Sequence, residues 1–206
     1  MIKKIIFVVA FCFSQTVMAN TAADQLKQKL AALAGFSAQF SQQVTDANGQ
    51  QVQQANGYVE LIQPDKFKWV TAEPNENTLQ SDGETVWFYD PFVEQVSATW
   101  LKDTIQSNPI LLLLKPESDA WSEYLIKQNS DTEFVILTTD KQAYVAQIKI
   151  ILAGESALSE LSILDKQGQT SLYRFSEFKA KTAEDFGPEH FKFNLPEGVE
   201  LDDQRR

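Results

Sequence analysis

The stretch that decides the fold begins at Phe36 and reads FSAQFSQQVTDANGQQVQQANGYVELI, ending at Ile62. From Phe36 onward the hydrophobic period changes from 3.6 to 2, and a period of 2 is typical of β-strands. The dipeptide Asn48-Gly49 lies near the middle, and it favours a tight turn between antiparallel strands. The stretch therefore predicts a β-hairpin with strands near 37–45 and 51–62.

The same kind of pattern continues along the rest of the chain. Asp82-Gly83 and Gln167-Gly168 mark further turns, and some strands alternate, as in Lys66-Phe67-Lys68-Trp69, with one polar and one aromatic face. Spacing of about ten residues without long intervening helices indicates an antiparallel meander, closed or partly closed. The further predicted strands lie near 66–72, 77–81, 85–90, 93–99, 124–128, 133–139, 143–152, 157–164, 170–179 and 191–194.

One predicted strand is apolar at every position. Val86-Trp87-Phe88-Tyr89 presents no polar face to water. We therefore expect this strand to lie near the centre of the sheet, covered on one side by the sheet interior and on the other by a helix or a chain end.

An amphipathic helix is predicted before the first strand. Thr21-Ala-Ala-Asp24 has the spacing of a capping box, which marks a helix start. Three leucines then recur at helical spacing on one face before Gly35, namely Leu26, Leu30 and Leu33. This pattern predicts one helix over about 21–34.

A second, much shorter helix is predicted in the middle of the chain. Pro109 is placed as the first helical residue, Ile110 to Leu114 are all apolar, and Pro116 prevents continuation. A helix of barely two turns has little stability of its own in water. We therefore expect a mobile element that is held over an apolar surface by packing.

Composition excludes several classes of function. The 206 residues carry a formal charge of −10, with a pI near 4.6, which disfavours binding to nucleic acid or to an anionic bilayer. One cysteine, Cys12, and one histidine, His190, do not make a zinc cluster or a disulfide within the chain. We expect no metal and no cofactor.

The first nineteen residues have the pattern of a secretory signal peptide. A basic start at Lys3-Lys4 precedes an apolar run from Ile5 to Phe13, and small residues lead to Ala19. The prediction is a signal peptide over 1–19, a single domain over 20–206, and a periplasmic protein that is not embedded in the membrane.

No catalytic signature is found in the sequence. The nucleophile elbow, the phosphate-binding loop and the zinc-protease motif are absent, and His190 is expected to be a surface or strand-edge side chain. We expect no catalytic residues and no enzyme activity. The apolar strand faces are compatible either with an ordinary core or with a cavity for acyl ligands, and periodicity alone does not separate these alternatives.

Several strings of residues resemble one known family. They are Trp87-Phe-Tyr-Asp-Pro-Phe-Val-Glu-Gln95, Thr99-Trp-Leu-Lys-Asp103 followed by Asn108-Pro109, and the C-terminal Asp202-Asp-Gln-Arg205. On these residues the chain is similar to the periplasmic outer-membrane lipoprotein carrier family, LolA. The resemblance implies a mainly β fold, an incomplete, half-open antiparallel barrel with an α-helical lid.

The resemblance also implies a function and a set of partners. A carrier of this family accepts acylated lipoproteins from the inner-membrane transporter LolCDE, shelters their acyl chains in a hydrophobic cavity, and passes them to the outer-membrane receptor LolB. It is expected to act as a monomer and to hydrolyse nothing. A periplasmic barrel that binds free fatty acids, or a small hydrolase, stays open as an alternative.

The resemblance assigns roles to particular residues. The residues expected to contact acyl chains are Leu26, Leu30, Leu33, Phe67, Trp69, Phe88, Ile110, Leu113 and Leu114. Where the family has an arginine that latches the lid, this chain has Gln63 before Pro64. Glutamine still donates a hydrogen bond but carries no charge, so the closed state is expected to be weaker by ~1 kcal/mol.

Overall fold

The computed structural model describes residues 21–107, 109–154 and 157–206, leaving aside the side chains of 105–110. The predicted signal peptide over 1–19 lies outside the described residues. The helices are α1 (Ala22–Ala32) and α2 (Leu101–Ser107), with 3-10 helices at Pro109–Leu114, Asp119–Glu123 and Ala183–Asp185. The strands are β1 (Gly35–Thr45), β2 (Gln51–Ile62), β3 (Lys66–Thr71), β4 (Asn77–Asp82), β5 (Thr85–Asp90), β6 (Gln95–Trp100), β7 (Tyr124–Gln128), β8 (Glu133–Thr138), β9 (Val145–Leu152), β10 (Leu158–Asp165), β11 (Thr170–Ala180) and β12 (Glu200–Asp203).

Twelve strands of the described chain form one open sheet. The strand order is β12-β6-β5-β4-β3-β2-β1-β11-β10-β9-β8-β7, and β12 and β7 are the two unjoined edges. All neighbouring pairs are antiparallel except β12 with β6. Phe67 of β3 and Ile150 of β9 belong to one core, so the sheet curls around that core. The predicted incomplete antiparallel barrel is confirmed.

The predicted first hairpin is confirmed as β1 and β2. Phe36 pairs with Leu61 and Phe40 with Gly57, so the long strands remain in register over most of their length. At the turn, the Asp46 carboxylate accepts the backbone N–H groups of Asn48 and Gln50, both at 2.9 Å. Gly49 has a φ of +79°, a conformation that glycine adopts without steric strain.

The capping box predicted at the start of α1 is confirmed. The Thr21 side chain accepts the Asp24 N–H at 3.2 Å, and the Asp24 carboxylate accepts the Thr21 N–H at 3.2 Å. These bonds satisfy backbone groups that a helix start otherwise leaves unpaired. They define where the helix begins.

The predicted strand at 191–194 is wrong. This part of the chain is irregular, and the last strand is β12 at Glu200–Asp203. Phe191 is buried and its carbonyl accepts the Gln80 side-chain amide at 2.8 Å, while the Phe193 ring stacks on Trp87 at 4.9 Å. The segment is held by aromatic packing and side-chain hydrogen bonds, which do not require strand pairing.

The prediction for Val86-Trp87-Phe88-Tyr89 is partly wrong. These residues form β5, which is the third strand from the β12 edge rather than a central strand. Its outer face is covered by a chain end, because Phe193 and Arg205 both contact Trp87. Phe88, which points to the opposite side, is 40% exposed.

The helices also differ in detail from the sequence-based expectation. Helix α2 was not predicted, and it follows β6 directly, with Leu101 buried at its start. The predicted leucine helix exists over Pro109–Leu114, but its turns are 3-10 rather than α-helical. At six residues the segment is longer than most 3-10 helices, and packing holds it, since Leu111, Leu112 and Leu114 are buried.

Candidate functional site

A cavity of about 370 Å³ lies between the concave face of the sheet and the two leucine-rich helical segments. This volume falls at the lower end of the range of about 300–1,000 Å³ that small-molecule sites occupy. The described residues that line it are Leu30, Leu33, Phe36, Gln42, Gln53, Val59, Leu61, Gln63, Phe67, Trp69, Thr71, Asn77, Leu79, Phe88, Leu111, Leu113, Leu114, Ile150, Leu158, Leu161, Ile163, Tyr173 and Phe175. None of these lining residues carries a charge.

Strand register builds the apolar wall of the cavity. Val59 pairs with Trp69 and Trp69 with Leu79 across β2, β3 and β4, and Leu79 pairs with Phe88 on β5. Side chains directly opposite in a sheet point to the same face. These four residues therefore form one continuous row that faces the cavity.

An aromatic cluster forms one end of the cavity wall. The Trp69 ring centroid lies 4.7 Å from Phe40, 5.2 Å from Tyr173 and 6.1 Å from Phe175. Gly57 makes this packing possible, because a Cβ at that position would lie 2.5 Å from Cζ of Phe40. The position of the Phe40 ring in the cluster therefore requires glycine at position 57.

The roof of the cavity comes from α1 and from the 3-10 helix at 109–114. Leu30 and Leu33 of the α1 region line the cavity, as do Leu111, Leu113 and Leu114 of the 3-10 helix. Both segments present leucine side chains to the sheet, and neither contributes a charged group to the lining. We call these two segments together the lid.

Gln63 connects the lid to the sheet. Its side-chain amide donates to the carbonyl of Leu30 at 2.9 Å, and its backbone N–H donates to the carbonyl of Ala34 at 2.8 Å. The side-chain bond joins the loop after β2 to the last turns of α1. A neutral hydrogen bond of this kind contributes about 1 kcal/mol.

One polar pair stands out inside the cavity. The Gln42 side-chain amide donates to the Tyr173 hydroxyl oxygen at 2.9 Å. Burial raises the pKa of Tyr173 to about 12, because the phenolate would lose its hydration. The hydroxyl therefore remains protonated throughout the physiological pH range.

The described residues outside the cavity offer no catalytic arrangement. His190 is half-buried on the outer face and lies 2.8 Å from the Glu60 carboxylate, with its ring against Phe186. Hydrogen bonding to Arg205 lowers the pKa of Asp203 to about 2, so this carboxylate is ionised and unsuited to donate a proton. No group of three or more potential metal ligands occurs among the described residues.

Most residues that the sequence assigned to the site meet at this cavity. Leu30, Leu33, Gln63, Phe67, Trp69, Phe88, Leu113 and Leu114 all line it. Leu26 does not line it, because it is completely buried in the core beneath α1. The side chain of Ile110 lies outside the described residues.

The sequence reading missed several lining residues. Phe36, Val59, Leu61, Leu111 and Leu161 are among them. Tyr173 and Phe175 of β11 also line the cavity and were not assigned to the site from the sequence. Alternation along a strand identifies the face of each residue within that strand, but Val59 shares the face of Trp69 through the pairing of β2 with β3, which only the structure gives.

Comparison with known proteins agrees with this geometry. The family described as "Outer membrane lipoprotein carrier protein LolA" matches residues 31–194. The chain belongs to this family. An outer-membrane lipoprotein carrier protein of Pasteurella multocida is 40% identical over 185 residues, covering 90% of this chain and 88% of the relative. The corresponding protein of Vibrio campbellii is 35% identical over 198 residues, covering 96% and 93%.

A solved structure supports the fold of this LolA-family chain. An uncharacterized conserved protein from Thermus thermophilus aligns with a TM-score of 0.50 at 14% identity, covering 90% of this chain and 97% of that one. At such low identity the likeness concerns the fold alone.

In the described part of the chain, no helix is long and apolar enough to cross a bilayer. The family relatives are named as carriers, not as enzymes.

Proposed function

We propose that this protein carries acylated lipoproteins through the periplasm, from the inner-membrane transporter LolCDE to the outer-membrane receptor LolB. The observation that carries the proposal is an uncharged, leucine-rich and aromatic cavity under a lid, in a chain of the lipoprotein carrier family. Such a cavity suits acyl chains, since apolar burial is the main favourable interaction that it offers. The signal peptide over 1–19 is the basis for the periplasmic location, and we propose a monomer.

The size of the cavity argues for lid movement during loading. Hiding one CH₂ group from water contributes about 0.8 kcal/mol, and full burial of three long acyl chains would exceed the limit of about 20 kcal/mol for non-covalent binding. A cavity of about 370 Å³ is small for such a cargo. We therefore propose that the lid opens, and that the chains are only partly buried, so that the cargo can be released.

Each predicted site residue has a place in this proposal. Leu30, Leu33, Leu113 and Leu114 contact the acyl chains from the lid, and Phe67, Trp69 and Phe88 contact them from the sheet. Gln63 holds the lid closed through its bond to Leu30. Leu26 anchors α1 in the core and contacts no cargo in the closed state. Ile110 is proposed as a further lid contact on the basis of the resemblance alone.

The proposal is tested by placing a charge inside the cavity. Leu113→Glu introduces a carboxylate among apolar lining residues, and we expect it to weaken binding of a synthetic triacylated cysteine lipopeptide at least tenfold. Binding is measured by competition with a fluorescent acyl probe, and circular dichroism checks the fold. Leu125→Glu is the matched control, because Leu125 is 52% exposed and does not line the cavity.

The outcome separates the carrier from its alternatives. Equal lipopeptide binding by wild-type protein and Leu113→Glu, with both folded, would refute the assignment of the cavity. Protein released from the periplasm is expected to co-purify with a mature lipoprotein. Co-purification with free fatty acid only, or turnover of an ester, would instead support a fatty-acid-binding barrel or a hydrolase.

A further inference from the structure

The described residues that line the cavity are uncharged, and three of them carry hydrogen-bond donors with no acceptor in the described part of the chain. We propose that Trp69, Thr71 and Tyr173 form a subsite for the neutral ester and amide carbonyls of acylated cargo, which excludes free fatty-acid anions. This inference rests on the proposed function and specifies which form of acyl group the cavity accepts.

Trp69 neighbours both Thr71 and Tyr173 on the cavity wall. Trp69 and Thr71 are two positions apart on β3, so both side chains point to the same face. The Tyr173 ring stands edge-on to the Trp69 ring, with centroids 5.2 Å apart. All three residues line the cavity.

Their donors are not used within the described part of the chain. The Trp69 indole N–H and the Thr71 hydroxyl form no hydrogen bond there. The Tyr173 oxygen accepts from Gln42, but its own proton has no acceptor among the described residues. In the same part of the chain, every side-chain nitrogen or oxygen that is shut off from solvent has a partner. The unpaired indole N–H of Trp69 and hydroxyl of Thr71 are therefore accessible to solvent. Thr71 is only 5% exposed and lines the cavity, so its hydroxyl is reached from the cavity.

Unpaired donors in apolar surroundings favour a ligand that brings acceptors. Ester and amide carbonyls accept hydrogen bonds without carrying charge, and acylated cysteine contains both kinds. A carboxylate also accepts, but it needs a cation or water to offset its desolvation. No lysine or arginine is among the described lining residues, so the free fatty-acid anion would be buried without a counter-charge.

The ionisation of Tyr173 points in the same direction. Burial raises its pKa to about 12, so the site already disfavours a negative charge at that oxygen. The same lack of hydration acts on any anionic headgroup placed beside it. The hydroxyl stays a donor at every physiological pH.

The first experiment compares ligands that differ only in their acceptors. A synthetic tripalmitoyl cysteine lipopeptide is compared with its analogue in which both glycerol esters are ethers. We expect the wild-type protein to bind the ester form roughly three- to tenfold more tightly, the range for one or more neutral hydrogen bonds. Methyl palmitate is expected to bind at least tenfold more tightly than palmitate at pH 8.

The second experiment removes one donor. Tyr173→Phe keeps the ring but removes one of the three donors, and we expect it to reduce the preference for the ester over the ether form at least twofold. Tyr144→Phe is the matched control, since Tyr144 is 61% exposed and does not line the cavity. Thermal unfolding verifies that both variants are folded.

The outcomes distinguish this inference from the proposed function. Equal wild-type affinity for ester and ether would overturn the carbonyl subsite, yet tight lipopeptide binding would leave the carrier function standing. Palmitate binding as tight as methyl palmitate would overturn the exclusion of anions. A wild-type protein that binds no lipopeptide would contradict the carrier function, and the subsite with it.

Discussion

The bond from Gln63 to the lid permits a quantitative prediction about lid opening. The Gln63 amide donates to the Leu30 carbonyl at 2.9 Å, and the same carbonyl also accepts the Leu33 N–H at 3.0 Å. The carbonyl keeps one partner when the Gln63 side chain is removed. The free energy that favours the closed lid should therefore fall by about 1 kcal/mol, the ordinary value for a neutral hydrogen bond. Gln63→Ala is therefore expected to increase the open population about fivefold.

The opposite change is expected when the donor gains a charge. Arginine forms charge-assisted hydrogen bonds that are roughly twice as strong as neutral ones. A cation at the C-terminal end of α1 also interacts favourably with the helix dipole. Gln63→Arg should therefore reduce the open population about fivefold, and it should slow loading by the same factor if opening limits loading.

Hydrogen exchange measures these populations directly. Amides of α1 exchange through local opening, so their rates should rise about fivefold in Gln63→Ala and fall about fivefold in Gln63→Arg. Amides of the buried strand β9 report global unfolding and serve as the internal reference. Gln39→Ala is the control variant, because Gln39 is exposed on β1 and makes no side-chain hydrogen bond within the described chain.

A clear result would refute the reasoning. If exchange in α1 changes less than twofold in both variants, while β9 exchange is also unchanged, Gln63 does not hold the lid. If α1 and β9 amides accelerate together in Gln63→Ala, the residue stabilises the whole fold rather than one local element. Only a change confined to the lid, with opposite signs in the two variants, agrees with a latch.

Two further predictions concern the aromatic cluster. Gly57→Ala places a methyl group against the Val70 carbonyl and 2.5 Å from Cζ of Phe40, so thermal unfolding should show a loss of about 1–3 kcal/mol. Gly187→Ala, which meets no atom within 4 Å, should change stability little, and equal effects of the two substitutions would contradict the packing argument. In a spectrophotometric titration, one tyrosine should ionise with a pKa of about 12 in wild-type protein, and this late step should be absent in Tyr173→Phe. Since the unfolded chain releases that proton near pH 10, the free energy of unfolding should fall between pH 10 and 12, by at most about 3 kcal/mol. A late step that survives in Tyr173→Phe would assign it to another residue.

Much of the fold is predictable because local patterns act over short distances. The capping box at Thr21, the turn at Asn48-Gly49 and the alternation at Phe67 and Trp69 each depend on neighbours along the chain. The irregular segment around Phe193 was not predictable in this way. Its alternating aromatic residues resemble a strand, but their partners, Gln80 and Trp87, lie about a hundred residues earlier in the chain.

The site was predictable to the extent that a resemblance supplied it. Periodicity shows which side of a helix is apolar, and both Leu26 and Leu30 lie on that side of α1. It does not show that Leu26 ends in the core while Leu30 borders a cavity. That difference depends on where the lid settles on the curved sheet.

The sequence by itself determined a mainly β chain with a capped N-terminal helix, a short leucine segment and few groups capable of chemistry. Only the tertiary structure decided whether the apolar faces close into a core or enclose a cavity, and which donors remain unpaired within it. The physical reason is that hydrophobic burial has no preferred direction. A pattern along the chain therefore specifies which face avoids water, whereas the curvature of the sheet and the position of the lid specify what that face meets.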